Sequence, residues 1–418
     1  MTQIKTQSDQ NIPDDILDEA AELSRGAEIL PEGMIGLAKK IHAARKENRV
    51  LRVKLGIDPT STDLHLGHSV VFRKLRRFQE YGHQVVLIIG GFTAQIGDPS
   101  GRNATRPPLT REQVEENAKT YLDQMGLILD LEKTELRNNA DWLAPLNLND
   151  LLKLASLVTI NQLLAKEAFG DRFEKHLPVS FHELFYPLLQ GYDSVAVNAD
   201  VELGGTDQRF NILQGRELQP HYMQDQQIAL LVPLLEGTDG VIKMSKTYGN
   251  FIALNFDAFE MFSKVMSIPD GEANGLIIKY FELATTLSGD EIDKIHDNLK
   301  KGGNPKDAKL ALARQITLQY HGEQKAEEAL TEWQRIFSLK QKPSEIDEFS
   351  IAESKRLVQL LVDADLISSS SEAKKMIEGG GIRIDDVQVR DKNHVIELEK
   401  LPLVLAVGKR AFVRVVAQ

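Results

Sequence analysis

The chain has 418 residues, of which 42% are apolar and 27% charged, and its formal net charge is -11. That length exceeds one core of ordinary size, so two or three domains are expected, and the composition excludes the disordered and fibrous classes. No stretch approaches the ~20 apolar residues that span a bilayer. The opening MTQIKTQSDQ lacks the apolar core of a secretory signal. Cysteine is absent, which rules out disulfides and thiolate metal sites and fits a cytoplasmic setting.

The charge is unevenly spread. From Ser350 to Gln418, 11 Lys and Arg stand against 10 Asp and Glu, so the preceding residues carry -12. A polyanion contact is therefore best placed at the C-terminal end.

In chain order, two amphipathic helices are expected before about Ala44, in ILDEAAELSRGAEIL and MIGLAKKIHAARKEN. A strand follows at Leu51–Ile57, a turn at Asp58-Pro59, and a helix across Gly67–Tyr81 that Gly82 ends. The β-branched run Gln84–Gly90 reads as a second, buried strand. Strand, helix and buried strand form a βαβ unit, which implies a parallel sheet with ligands at the carboxyl ends of its strands.

Helical periodicity dominates from Arg111 to Tyr192, so this block reads as an insertion between two halves of one sheet. Strands resume at Ala199–Leu203, running into Gly204-Gly205, and at Ile228–Leu234 before a lysine-rich turn at Gly240–Thr247. Asp257 to Phe337 is helical throughout, and the polar LKQKPSEIDEF reads as a linker. Two short helices and strands at Ile382–Val389 and Val404–Val416 make a last α+β module.

The expected fold is thus α/β, with boundaries at 1–250 for a sheet domain carrying a helical insertion at about 107–198, 251–338 for an all-helical domain, 339–349 for the linker and 350–418 for the tail module.

His65 and His68 lie in GIDPTSTDLHLGH at the first strand-to-helix junction. A pair spaced i, i+3 suits a metal, though no third ligand is near; it also suits a structural cap. The third reading is phosphate contact, because a helix N-terminus offers unpaired N–H groups and a positive dipole end. Gly67 would let a nucleotide approach the backbone. Late in the chain, Lys243-Met244-Ser245-Lys246-Thr247 forms a compact cationic loop that alone reads as a solvated turn.

FYPLLQGYDS suggests a pocket: Tyr186, Gln190 and Asp193 fall at i, i+4 and i+7 on one helical stripe among apolar residues. Such groups are costly to bury without partners, which a polar substrate supplies; a stripe facing solvent or another helix is the alternative.

His-x-Gly-His early and Lys-Met-Ser-Lys late, flanking a split parallel sheet, resemble the paired signatures of class I aminoacyl-tRNA synthetases. Within that class the chain resembles the tyrosyl-tRNA synthetase family along nearly its whole length. The likeness also rests on Ile96-Gly97-Asp98-Pro99-Ser100-Gly101, on FYPLLQGYDS, on Leu203-Gly204-Gly205-Thr206-Asp207-Gln208 and on the C-terminal module, which resembles a small RNA-binding domain. The resemblance implies a Rossmann-type catalytic sheet with helical insertion, a helical domain on the anticodon side and an RNA-binding tail.

It also implies roles. Tyr186, Gln190 and Asp98 would bind the ammonium of tyrosine, Asp193 would read its phenolic hydroxyl, and Gln208 would complete that cleft with Asp58. Asp58, Gly67, Gly205, Asp207 and Lys246 would hold ATP. Thr60, His65, His68, Arg102, Arg106, Lys243, Lys246 and Thr247 would serve the chemistry at the phosphates, with Mg2+ arriving on ATP and no dedicated metal cage. Lys54 departs from the family's better-known branch, which has tyrosine there; either it donates to the substrate hydroxyl in that tyrosine's place, or Asp193 reads the hydroxyl with other help. Partners implied are tRNA, tyrosine, ATP and a second copy of the chain bound through the insertion, with no membrane. A tryptophanyl enzyme and a nucleotidyltransferase of the same superfamily are the alternatives.

Overall fold

The computed structural model describes residues 12–60, 63–99, 110–164, 167–338, 346–408 and 411–418. The chain divides into two compact units, Met1–Gly322 and Glu323–Gln418.

The first unit is organised by a six-stranded sheet of β1 (Glu28–Leu30), β2 (Arg52–Ile57), β3 (Gln84–Ile89), β4 (Thr134–Asn138), β5 (Val201–Gly205) and β6 (Ile228–Val232). Their order across the sheet is β1-β6-β5-β2-β3-β4, all parallel except β1, which runs antiparallel to β6. Parallel strands covered on both faces need near-continuous apolar runs. VVLII in β3 and IALLV in β6 supply them, and both runs are buried. The chain moves outward from β2 through β3 to β4, then returns to the other side of β2 for β5 and β6. The crevice beyond the carboxyl ends of β2 and β5 is therefore the topological switch point, where such sheets bind ligands.

Three expectations need correction here. GAEIL is not the end of a helix: the first helix stops at Ser24, Gly26 takes a positive φ of 68°, and β1 follows at the sheet edge. The block read as helical from Arg111 contains β4, whose alternating TELRN suits a half-exposed edge strand rather than a core one. The insertion between sheet halves accordingly follows β4.

The junction helix Leu66–Glu80 leaves the β2 end, and Gly82 with φ 82° turns the chain back into β3. Just before this helix, Leu254 donates its amide to the Leu64 carbonyl at 3.0 Å, and Leu66 donates to Ile252 at 2.9 Å. These bonds draw the segment after Lys243–Thr247 onto the start of the junction helix.

In the second unit, a five-stranded sheet runs in the order Val387–Val389, Ile382–Ile384, Leu403–Val407, Ala411–Ala417, Glu348–Ile351. Leu357, Leu361, Ile377 and Leu405 are among the residues that fill its core. Three readings change: Val404–Val416, like Ile382–Val389, is two antiparallel strands, Leu403–Val407 and Ala411–Ala417. Ile382–Val389 is a hairpin rather than one strand, turned at Asp385 and Asp386 with φ of 47° and 72°. Glu348–Ile351, half inside the expected linker, pairs parallel with Ala411–Ala417; residues 339–345 lie outside the described ones.

Candidate active site

Two groups of side chains meet at the switch point. The first is the rim that joins the histidine and lysine signatures. His65 caps the junction helix from an extended backbone, and its amide donates to His68 Nδ1 at 3.2 Å. The imidazole rings lie 3.9 Å apart between centroids. A Cβ on Gly67 would sit 3.0 Å from the His65 ring, so the glycine makes room for that imidazole, not only for a ligand.

Loss of hydration, helped by the neighbouring imidazole and the Lys243 charge, holds the His65 pKa down at about 2. Loss of hydration also brings His68 down to about 4, with the Asp207 charge pulling the other way and Lys243 adding to the fall. Both rings are neutral near pH 7, and among the described residues the buried His65 Nδ1 has no hydrogen-bond partner.

Lys243 reaches the same spot and donates to Asp207 Oδ2 at 2.8 Å. Lys246 is paired with Asp63, which also accepts from Asn255 Nδ2 at 3.1 Å. Asn250 secures the loop, since its side chain bonds Asp239 and accepts from the Ser245 amide. Thr247 follows, its amide donating to Ser245 Oγ at 3.3 Å. Gly205 lies close against Asp207, since a Cβ there would fall 2.7 Å from Asp207 Oδ1 and displace that side chain.

The second group is a buried polar chain beneath the rim. Tyr186 and Asp193 are buried on the pocket helix Tyr186–Ala196, so their stripe faces inward. Tyr186 donates its hydroxyl to Asp58 Oδ2 at 2.8 Å, and Thr93 donates to Asp58 Oδ1 at 2.7 Å. Asn139 Nδ2 donates to Thr93 Oγ1 at 2.9 Å and to Asp193 Oδ2 at 3.3 Å, and Trp142 Nε1 donates to Asp193 Oδ1 at 2.8 Å.

Burial pushes the Asp193 carboxyl up to about 7, against the opposing charge of Lys54 and the two donated bonds. Burial, then the charges of Asp58 and Asp98, raise Tyr186 well above its ordinary value and keep it a donor. Beside this chain, Gln208 Nε2 donates to Asp98 Oδ2 at 2.7 Å. Thr60 follows the β2 end, its amide bonded to the Asp58 carbonyl at 2.8 Å.

Lys54 offers no hydrogen to a substrate hydroxyl: all three are taken, by Gln190 O at 3.0 Å, Ser194 Oγ at 2.8 Å and Glu202 Oε1 at 2.9 Å. Gln190 Nε2 donates to Glu202 Oε1 at 3.2 Å. Arg102 and Arg106 lie outside the described residues. Sequence reasoning missed Asp63, Thr93, Asn139, Trp142 and Glu202. For Glu202 a signal existed: a lone carboxylate inside the buried run VELGG calls for a cation. Among the described residues no group of three or more His, Asp or Glu side chains gathers to hold a metal, and no helix is long and apolar enough to cross a membrane.

A parallel sheet split at β2 and β5, with both signatures brought to its switch point, defines a class I synthetase site. Residues 46–338 match the family described as tRNA synthetases class I (W and Y), and residues 338–414 match the tyrosine–tRNA ligase SYY-like C-terminal domain. The chain is 47% identical over 402 residues to a tyrosine–tRNA ligase of Carboxydothermus hydrogenoformans, covering 94% of this chain and 96% of the relative. It is 49% identical over 371 residues to that of Thermotoga maritima, covering 88% and 91%. The chain belongs to the tyrosine–tRNA ligases of class I. Among solved structures, a C-terminally truncated Aspergillus nidulans mitochondrial tyrosyl-tRNA synthetase shares the fold at a TM-score of 0.62 and 22% identity, over 77% of this chain and 94% of that one. The Archaeoglobus fulgidus enzyme, complexed with L-tyrosine, does so at 0.60 and 21%, over 76% and 100%.

Proposed function

We propose that this chain attaches tyrosine to its cognate tRNA in two steps. A carboxylate oxygen of tyrosine attacks the α-phosphorus of ATP, the bond to the β-phosphate oxygen breaks, and pyrophosphate leaves. A terminal ribose hydroxyl of the tRNA then attacks the tyrosyl carbonyl, and AMP departs with the electron pair of its bond. The carboxylate is already a nucleophile, so the protein's task in the first step is positioning and stabilisation of charge on the leaving group.

In this reading Lys243 and Lys246 exchange Asp207 and Asp63 for the pyrophosphate, with Thr60 and Thr247 alongside. The neutral imidazoles of His65 and His68 add uncharged donors to the phosphates. Asp207, released from Lys243, takes the ribose with Gly205 beside it. Mg2+ arrives on ATP. Asp98, Tyr186 and Gln190 face the ammonium end of tyrosine, with Asp58 and Gln208 completing the cleft, and Asp193 accepts from its phenolic hydroxyl.

The observation that carries this is the convergence of two lysine–carboxylate pairs with a buried carboxylate that Trp142 and Asn139 hold. The test is pyrophosphate exchange into ATP across all amino acids, followed by transfer to purified tRNA. Tyrosine should support both; exchange driven by tryptophan instead would overturn the assignment.

The chain also acts as a homodimer in this reading. Leu148, Leu152, Ile160, Phe173 and Phe181, all within or beside the insertion, are exposed, an apolar set of the kind that marks a protein interface. Sedimentation equilibrium should give twice the chain mass, and Phe181→Glu should shift it toward the monomer.

A further inference from the structure

Lys54 is a lysine in the middle of a buried strand. A cation at that depth is tolerated only when paired and fully hydrogen-bonded. It stands in register opposite Glu202 across β2 and β5, and both side chains are essentially without solvent exposure. Glu202 is saturated. Its Oε1 accepts from Lys54 at 2.9 Å and Gln190 Nε2 at 3.2 Å, and its Oε2 from Ser194 Oγ at 2.8 Å and Gln227 Nε2 at 2.6 Å. Ser194 accepts from Lys54 with the same hydroxyl that it donates to Glu202. Gln190 and Ser194 flank Asp193 on the pocket helix, so the ion pair clamps that turn to the sheet.

We propose that Lys54 is a positioning and specificity-determining residue of the tyrosine pocket. Paired with Glu202, it fixes the Gln190–Ser194 turn and supplies the positive charge that keeps Asp193 an acceptor for the phenolic hydroxyl. The inference rests on the assignment of Asp193 as reader of that hydroxyl.

The charges around Asp193 give the direction. Facing it are Lys54 from β2, Glu202 from β5, the Trp142 and Asn139 donors from the segment after β4, and Tyr186 on its own helix. Burial is the largest influence and favours the protonated carboxyl. Lys54 is the largest influence opposing it, ahead of the two donated bonds, and Glu202 adds a smaller push toward protonation. Removing both charges therefore makes Asp193 easier to protonate, while removing Glu202 alone makes it harder. A protonated Asp193 offers a donor where the phenol needs an acceptor, and phenylalanine is then rejected less well.

The experiment compares kcat/KM for tyrosine and phenylalanine in pyrophosphate exchange from pH 5.5 to 9. The variants are Glu202→Gln, the double variant Lys54→Met/Glu202→Gln and Asp193→Asn, each checked for folding by its thermal melt. The double variant replaces the buried pair without leaving either charge alone. Its acidic limb should move up by about one pH unit, with preference for tyrosine over phenylalanine down about fivefold at pH 7 and recovering above pH 8. Glu202→Gln should move the limb down. Asp193→Asn should flatten it and lower the preference above the wild-type limb, where Asp193 is ionised.

A folded double variant with the wild-type limb and preference overturns the proposal. So does an equal loss of preference in both Glu202 variants with no movement of the limb, which marks a purely structural role. If Asp193→Asn keeps both limb and preference, the assignment of Asp193 itself fails and takes this inference with it.

Discussion

The rim and the pocket of this site are built from the same kinds of residue in opposite ways. At the rim, the signature lysines are partly exposed, 38% for Lys243 and 46% for Lys246, and each is held by one carboxylate. Beneath, Lys54 and Glu202 are enclosed, and their hydrogen-bonding groups are occupied. Exposed ion pairs are worth about 0–1 kcal/mol and exchange partners easily. Buried pairs resist exchange, because either charge left alone is uncompensated. The rim is thus suited to partners that arrive and leave, phosphates among them, and the pocket to holding one shape and one charge pattern.

Removing one lysine from each region should have opposite consequences. Lys54→Met leaves Glu202 buried and unpaired and should lower unfolding free energy by roughly 3–5 kcal/mol, read by chemical denaturation. A loss below about 1 kcal/mol would mean that the pair is not the clamp described here.

Lys246→Ala should do the reverse. Its loss should leave the denaturation midpoint nearly unchanged, while tyrosine-dependent pyrophosphate exchange falls on the order of 100- to 1000-fold, the effect of a contact worth roughly 2.7–4 kcal/mol in the transition state. Exchange near the wild-type rate, with ATP still bound, would remove Lys246 from the chemistry.

Asp193→Asn probes the pocket's selectivity without opening a cavity. Leaving a buried polar group mismatched costs roughly 1–3 kcal/mol, so the ratio of tyrosine to phenylalanine kcat/KM at pH 8 should fall about 5- to 150-fold. An unchanged ratio would move the hydroxyl reader elsewhere.

Which features were legible in the sequence follows the same division between local and non-local physics. β3 and β6 were visible because a strand covered on both faces must be apolar along its length. β4 was not, because TELRN at an edge alternates and borrows the polarity of the helices around it. The Asp385-Asp386 turn hid a hairpin, since neither residue is the glycine that usually announces a positive φ. In the site, the two signatures and the Tyr186–Asp193 stripe were readable from spacing along the chain. The sequence left two roles open for Lys54, because its partner is 148 residues away and only the strand register makes them neighbours. Asn139 and Trp142 escaped for the same reason: their meaning lies in a carboxylate 51 to 54 residues later.

The smallest expected effect is a proton count, and it tests the pocket's charge directly. With the Asp193 carboxyl near 7, the free protein at neutral pH is a mixture of acid and carboxylate. A phenolic O–H donating to Asp193 favours the carboxylate, so binding tyrosine should release up to about half a proton at pH 7. Titration calorimetry in two buffers of different ionisation enthalpy measures this. The release should vanish above pH 9, where Asp193 is already ionised, and should be absent in Asp193→Asn. His65 and His68, at about 2 and 4, stay neutral across this range and cannot mimic the signal. The unliganded protein should show the matching stability trend. Asp193 binds its proton more tightly folded than unfolded, where it titrates near 3.8, so the native state holds more protons between about 4 and 7. Its contribution to stability is complete below that window and is lost as the pH rises through 7. Replacement by asparagine should remove that slope. If the slope survives in Asp193→Asn, the titrating group near neutral pH is some other residue, and the contrast between a yielding rim and a charge-fixed pocket loses its central member.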